Sequence, residues 1–503
     1  MGDDARLVDV SQGAADDGAS RNVVKTLLQV LSRDEREQVH ERTLRVLSRT
    51  GMRVDSDEGR RILASAGAHV DEATRIVRFP PALVDEALRL APKRFALGAR
   101  RPGWELPLNA GETTLVMDGE ATRILDAGAD TPRLGTHADW LATTRLIDAI
   151  DDVGVYWAMV DGSIGGDTVA DWVAYNVEVA RSFSKHVNDS FARPEWSPWL
   201  LEILETVFGS REEVRRRHPY SFLLTPVSPL IIERGSADSW LALRGWDIPV
   251  VVLPMPMMGS TAPGSLLATT LLANCETIGT LCLVQAAAPG TPFIYAPIAL
   301  TMDPRNGRYA GTTAHSAVGV AGVEMARHYG LPVMGSACGT DAYLPGQQAG
   351  YEKAFSSLFG QLSWPDLMVG PGCLAGATIL SHAQLLIDVE VFRMCRKAHE
   401  GIDTSDDRWL VDVLARRGPG GHFVAERSTR VNARSGEYYL PGLGVHEPLE
   451  AWEAAGRPSV VDEAARRATE LLATHHPLPL GEDVERELGK LRVRAARARE
   501  ATA

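Results

Sequence analysis

The side chains of this sequence that could do chemistry collect where apolar, β-branched runs stop. LPVMGSACGTD ends on Asp341, with Tyr343 two residues on, and DLMVGPGC passes through Gly370 and Gly372 to Cys373. Other run ends carry Asp161 and Ser163, Asn188 and Asp189, Thr225 and Ser228, Pro254 and Met255, and Tyr295. The set is short of lysine and arginine. It contains no glycine-rich phosphate loop at the required spacing, no nucleophile elbow and no HExxH. Hydride transfer, phosphoryl transfer and zinc hydrolysis therefore lack their usual machinery. The five cysteines, Cys275, Cys282, Cys338, Cys373 and Cys395, are an odd number at irregular spacing with no CxxC pair. They read as reduced thiols of a cytoplasmic protein, not as a disulfide framework. Cys338 and Cys373 both end strands, but no histidine pattern beside them completes a metal site.

The elements that position these residues repeat. Apolar runs recur at TLVMDG, VGVYWAMVDG, SKHVNDSFA, YSFLLTPVSP, IPVVVLPMP, TPFIYAPIA, LPVMGSACG and DLMVGPGC, with helical patterns between most of them. Eight strands with helical spacers predict an α/β fold of the (β/α)₈ TIM-barrel kind, whose sites lie in the loops after the strands. A doubly wound open sheet would give similar local signals. Within residues 331–388, Tyr351, Phe355, Leu358 and Leu362 mark one helix face, Ser381 with Gln384 reads as a capping box, and Gly401 ends the second helix.

Before the barrel (106–481), residues 22–105 read as an α-rich extension, and residues 482–503 after it as a charged helix. Residues 22–31 are predicted as a short apolar helix. Ser32 and Glu35 box the next one, Val39, Leu44 and Leu47 stripe it, and Gly51 stops it. AHVDEATRIVRFP reads as a hairpin. Residues 1–21 are acidic, lack an apolar signal core and read as a disordered tail. A length of 503 residues suits a large barrel with extensions, and a net charge of −13 argues against broad nucleic-acid binding. No apolar run is read as reaching the roughly 20 residues a membrane helix needs.

MPMMGSTAPGSLLATTLLANCETIGTLCLVQAAAPGTPFIYAP resembles the GSTAP motif, helix and strand of the trimethylamine methyltransferase superfamily, which includes non-pyrrolysine members acting on glycine betaine. GTDAYLPGQQAGYEKAF resembles the same family's Asp-containing loop and GPGGHF (418–423) a later one, while ERTLRVLSRTGMRV and ALRLAPKRFALGAR match in the extension. The similarity runs over about residues 31–481, nearly the whole chain. It implies methyl transfer in a (β/α)₈ barrel, with a separate corrinoid protein as acceptor. A quaternary ammonium methyl displaced in line by a cobalt nucleophile leaves a neutral tertiary amine, so no acid is needed. The protein then has to hold the cation, aim a methyl group and exclude water. The trimethylamine branch carries pyrrolysine near this loop, where this chain has standard residues, with Tyr343 close by. That favours a pre-quaternised donor, glycine betaine or a relative. No DxHxxG corrinoid motif is present, so cobalamin would arrive on a partner. Tetrahydrofolate as direct acceptor and a non-catalytic quaternary-amine-binding protein are the alternatives. The helical extension and the resemblance together imply a homo-oligomer.

Each candidate has two readings. Asp341 contacts substrate or caps the next helix. Tyr343 faces the cation or is a loop residue. Gln347 and Gln348, in the first turn of a helix, hold a betaine carboxylate or simply start the helix. Tyr295 joins an aromatic cage or packs a barrel layer. Only one of Tyr156 and Trp157 can face inward, because they alternate on a strand. His382 serves the site or only begins its helix.

Overall fold

The computed structural model describes residues 27–160, 168–311 and 313–502. The tail 1–21 and the candidates Asp161 and Ser163 lie outside them.

Eight parallel strands form the barrel: β1 (Thr114–Val116), β2 (Val153–Tyr156), β3 (His186–Asp189), β4 (Tyr220–Leu224), β5 (Val250–Val252), β6 (Phe293–Tyr295), β7 (Met334–Ser336) and β8 (Leu367–Val369). Each pairs with its sequence neighbour except between β6 and β7, and β8 returns to β1. There a parallel bridge between Tyr295 and Val333, with the Tyr295 N–H donating to the Pro332 carbonyl at 2.9 Å, closes the circle. The expected barrel is the fold, and all eight expected runs supply strands. The helices are α1 (His137–Asp148), α2 (Val169–Ser182), α3 (Ser197–Phe208), α4 (Arg234–Leu241), α5 (Leu266–Ala287), α6 (Thr313–His328), α7 (Gln347–Ser363) and α8 (His382–His399).

Strands in such a barrel are buried on both faces, which is why they read as continuous apolar runs rather than alternating ones. Val116, Val155, Leu223, Val251, Ile294, Met334 and Leu367 meet inside the barrel. Leu115, Val153, Phe222, Val250, Phe293 and Tyr295 belong to the shell between barrel and helices. Leu97, Leu106 and Leu108, from the hairpin Ala96–Gly98 with Glu105–Pro107, join the interior from the N-terminal end and plug it. The other end carries the site. Over part of it lies a small sheet made from the loops after β1 and β8, ordered Cys373–Leu374, Ile379–Leu380, Arg123–Ile124, Arg133–Leu134.

The extension wraps α5. Helices Arg33–Arg49, Asp57–Ser65 and Pro81–Leu90 pack against it, with Leu47, Met52, Leu63 and Val84 in one core with Cys275, Ile278 and Cys282. By length and hydropathy α5 does qualify as a membrane span, against the sequence expectation. However, 83% of its most apolar window is buried inside the protein, which makes it a core helix. Its polar groups are satisfied within the protein: Asn274 donates to Thr43 at 2.7 Å, and Glu276 accepts from the Leu230 N–H and Ser228 hydroxyl, each at 2.8 Å. The expected helix at 22–31 is not seen where it is described, since residues 27–31 are irregular, with bends at 30 and 31. The Val30 and Leu31 N–H groups donate to the Glu324 carboxylate instead, each at 2.9 Å. At the other end of the chain, helix Glu482–Thr502 lays Leu488, Leu491 and Ala495 on Val173, Val177 and Ile203 of α2 and α3.

Candidate functional site

A cavity of about 270 Å³ opens at the C-terminal ends of the strands. Asp118 and Gly119 enter it after β1, Trp157 after β2, Leu253 and Met255 after β5, and Val369, Gly370 and Cys373 from β8 and its loop. Tyr309, between β6 and α6, and His315, in the first turn of α6, close one side, and residues 336–340, from the end of β7 onward, close another. Two glycines make room for the rings. A Cβ at Gly119 would sit 2.6 Å from the Trp157 Nε1, and one at Gly376 2.7 Å from the Tyr309 Cδ1. Gly376 also has φ +62, which favours glycine.

Asp118 holds the cavity's charge. Among the described residues its only hydrogen-bond donor is the N–H of Gly119, at 3.1 Å. Burial raises the carboxyl to about 6, against the opposing field of Lys353 and that one N–H. His315 donates from Nδ1 to the Ala299 carbonyl at 2.9 Å, which fixes the tautomer. Its burial takes the ring down to about 4, so it is neutral above that. The Tyr309 ring stands edge-on to His315, centroids 5.6 Å apart, and burial pushes its phenol well up. Among the described residues no group of three His, Cys, Asp or Glu side chains could hold a metal. Among the described residues the cavity thus presents one carboxyl group, the rings of Trp157 and Tyr309 and a neutral imidazole, with no cation.

Behind the wall lies a second, closed polar layer. Lys353 of α7 donates to the Asp388 carboxylate and to the Cys338 carbonyl, both at 2.8 Å. Asp388 also accepts from the Gly372 N–H at 2.7 Å and the Gln384 amide at 2.8 Å. The Gln384 side chain therefore turns inward and does not complete a capping box; Ser381 alone caps α8. Burial would pull the Lys353 ammonium down, but Asp388 beside it reverses that, and its pKa is raised. This layer fixes the loops after β7 and β8, where the backbone is most constrained. Cys338 has φ 53, and a Cβ at Gly370 would lie 2.1 Å from the Ala337 carbonyl oxygen. All five cysteines are buried and unpaired.

Of the residues expected from the sequence, the structure brings Trp157, Met255, Cys338, Gly370 and Cys373 to the cavity wall, and leaves Asp341, Tyr343, Gln347, Gln348, Tyr295 and His382 outside it. Tyr156 points into the shell, where its hydroxyl meets Trp140 and Tyr175. Asp341 is half-buried and accepts from the Gly311 N–H at 3.0 Å; burial raises its carboxyl. Tyr343 is exposed and accepts from Arg308 at 2.7 Å. Gln347 and Gln348 are exposed at the start of α7, and Gln348 donates to Glu352 at 3.0 Å. Glu352 in turn accepts from the Thr340 hydroxyl at 2.6 Å and the Asp341 N–H at 2.9 Å, bracing this loop. His382 meets the Thr143 hydroxyl of α1 at 2.8 Å. Tyr295 is buried between barrel and helices, with its hydroxyl donating to Asn274 at 2.6 Å.

Sequence reading passed over Asp118, Tyr309 and His315. Asp118 was recoverable, since it ends the run TLVMDG by the same rule that picked Asp341. Tyr309 and His315 carry no such signal, because they lie far beyond the end of β6.

The family model of trimethylamine methyltransferase (MTTB) matches residues 2–498. Trimethylamine methyltransferase MttB of Desulfitobacterium hafniense (strain DSM 10664 / DCB-2) is 29% identical over 455 residues, 90% of this chain and 91% of that protein. Glycine betaine methyltransferase of Desulfitobacterium hafniense (strain Y51) is 24% identical over 471 residues, 91% and 95% of the two chains. The crystal structure of the Methanosarcina barkeri monomethylamine methyltransferase MtmB aligns with a TM-score of 0.46 and 12% identity, covering 87% of this chain and 92% of that one.

Proposed function

This chain belongs to the trimethylamine methyltransferase family and is an enzyme of the methyltransferase type, and on that premise we propose that it removes a methyl group from a quaternary ammonium donor and delivers it to a corrinoid carried by a separate protein. The observation that supports this reading best is Asp118, a carboxylate with no ion-pair partner among the described residues, in a wall that also holds Trp157 and Tyr309. A trimethylammonium group supplies what that wall lacks. Its charge faces the carboxylate, and its methyl groups lie on the rings, where cation–π attraction adds roughly 0.5–2 kcal/mol each.

The chemistry asks for little more from the protein. Demethylating a quaternary amine releases a neutral tertiary amine, so no proton has to be delivered. His315 is neutral and Tyr309 resists ionisation, so neither is poised as an acid or base near neutral pH. The wall's work is to hold, orient and keep dry. Asp341 and Tyr343, braced by Gly311 and Arg308, frame the rim as positioning residues. A corrinoid would supply the nucleophile that receives the methyl group. Among the described residues the cavity has one imidazole, His315, whose Nδ1 is committed to the Ala299 carbonyl, and the corrinoid is taken to arrive on its own protein. Glycine betaine has the required headgroup, as has every N,N,N-trimethyl cation, so the wall must choose among them.

The test is to incubate the full chain with a trimethylammonium donor and a reduced corrinoid protein and to follow the dimethylamino product. Product with tetrahydrofolate as sole acceptor would replace the corrinoid part of the proposal. Tight binding with no product from either acceptor would make the chain a binding protein.

A further inference from the structure

Among the described residues the cavity wall has one charged side chain, Asp118, which is an anion, and no lysine or arginine. The nearest buried ammonium, Lys353, is spent on Asp388 and on the Cys338 carbonyl, and Arg308 donates outside the wall to Tyr343. Of the hydroxyls in the wall, Thr340 already donates to Glu352, which leaves Ser336 and the Tyr309 phenol, both neutral. A carboxylate entering here would lose its water and gain no cation. It would also stand close to Asp118, where weak screening magnifies repulsion between like charges.

Glycine betaine bears its carboxylate one methylene from the nitrogen. Seating its trimethylammonium group against Asp118 brings that carboxylate into the same space. Resting on the quaternary-amine reading above, we infer that the cavity takes a net-cationic quaternary ammonium compound, one whose fourth substituent is uncharged, in preference to the zwitterion glycine betaine. Asp118 with Trp157 and Tyr309 does the attracting, and the lack of a cation among the described wall residues does the rejecting.

Calorimetric titration of the full chain with tetramethylammonium, choline and glycine betaine at neutral pH tests this. Tetramethylammonium and choline are expected to bind, with glycine betaine weaker than choline by about tenfold or more. Glycine betaine binding as tightly as choline overturns the charge preference and leaves the quaternary-amine reading standing. Failure of all three to bind overturns both. Asp118→Asn removes the charge and keeps the shape; choline affinity is expected to fall about tenfold or more, and the preference to collapse. A preference that survives the substitution overturns the role of Asp118.

Acid removes the same charge without a mutation. The groups facing Asp118 are Lys353, Tyr309, Cys373 and His315. Lys353, Tyr309 and Cys373 are all pushed upward and His315 down to about 4, so Asp118 alone among them titrates near 6. The choline-to-betaine affinity ratio of the wild-type protein is expected to shrink as pH falls through about 6, and a ratio constant across that range overturns the inference.

Discussion

Two aspartates stand near the same end of the barrel and are treated oppositely. Asp388 is met by a lysine, a backbone N–H and a side-chain amide, all within 2.8 Å. Asp118, two residues beyond β1, has one backbone N–H at 3.1 Å and otherwise faces a cavity. The chain neutralises one buried carboxylate completely with its own groups, so it has the means to do so. Where it leaves a carboxylate unmatched among aromatic rings, the match is expected from outside. The paired aspartate holds the loops still, and the unpaired one awaits a ligand.

Breaking the paired side should give the largest effect. Lys353→Met leaves Asp388 buried and uncompensated, and denaturant unfolding is expected to show a loss of about 3–5 kcal/mol. Most of that loss should return in the Lys353→Met/Asp388→Leu double variant, because both charges are then gone. If the single variant were no less stable than wild type, the two aspartates would not differ as described.

On the unpaired side, Asp118→Asn should raise the unfolding midpoint at neutral pH, where the buried charge costs stability, yet lower kcat/KM roughly 100-fold, about 2.7 kcal/mol of lost cation binding. Tyr309→Leu or Trp157→Leu should each raise KM about fivefold, near 1 kcal/mol for one cation–π face. Acid separates stability from binding. The Asp118 carboxyl is raised in the fold to about 6, so its contribution to stability is intact below the unfolded value and is lost as pH rises through 6. The thermal upshift produced by a quaternary cation is therefore expected to grow as pH rises through that point, and an upshift flat with pH would detach the ligand from Asp118. The smallest change belongs to Tyr295→Phe, which deletes the bond to Asn274 outside the cavity. It should cost about 1 kcal/mol of stability and leave KM unaltered.

The barrel was legible in the sequence because buried parallel strands leave an unmistakable trace: eight apolar runs at helical spacing, each of which became a strand. The site was less legible, for a geometric reason. Sequence marks where a strand ends but not which way the next side chain turns. Asp341 and Asp118 both follow strands, yet Asp341 turns to the Gly311 N–H while Asp118 turns into the cavity. Tyr295 looked like a cage residue because it ends a strand, but inward and outward alternate, and Ile294 took the inward place. Tyr309 reaches the cavity only because Gly376 lacks a Cβ, a contact made between residues of different loops. The apolar character of α5 was understated because its threonines and Glu276 interrupt the apolar run, though they are buried with it.

The wrapping of α5 also bears on the order in which the chain is made. A nascent protein emerges N-terminus first and its early parts fold first. The helices that cover α5 are therefore synthesised before the segment they shield, and a span-like helix meets its own sheath as it leaves the ribosome. Moving residues 33–90 behind the barrel by circular permutation would reverse that order with every native contact still available. The permuted chain is expected to aggregate during synthesis, yet refold from denaturant to the same structure.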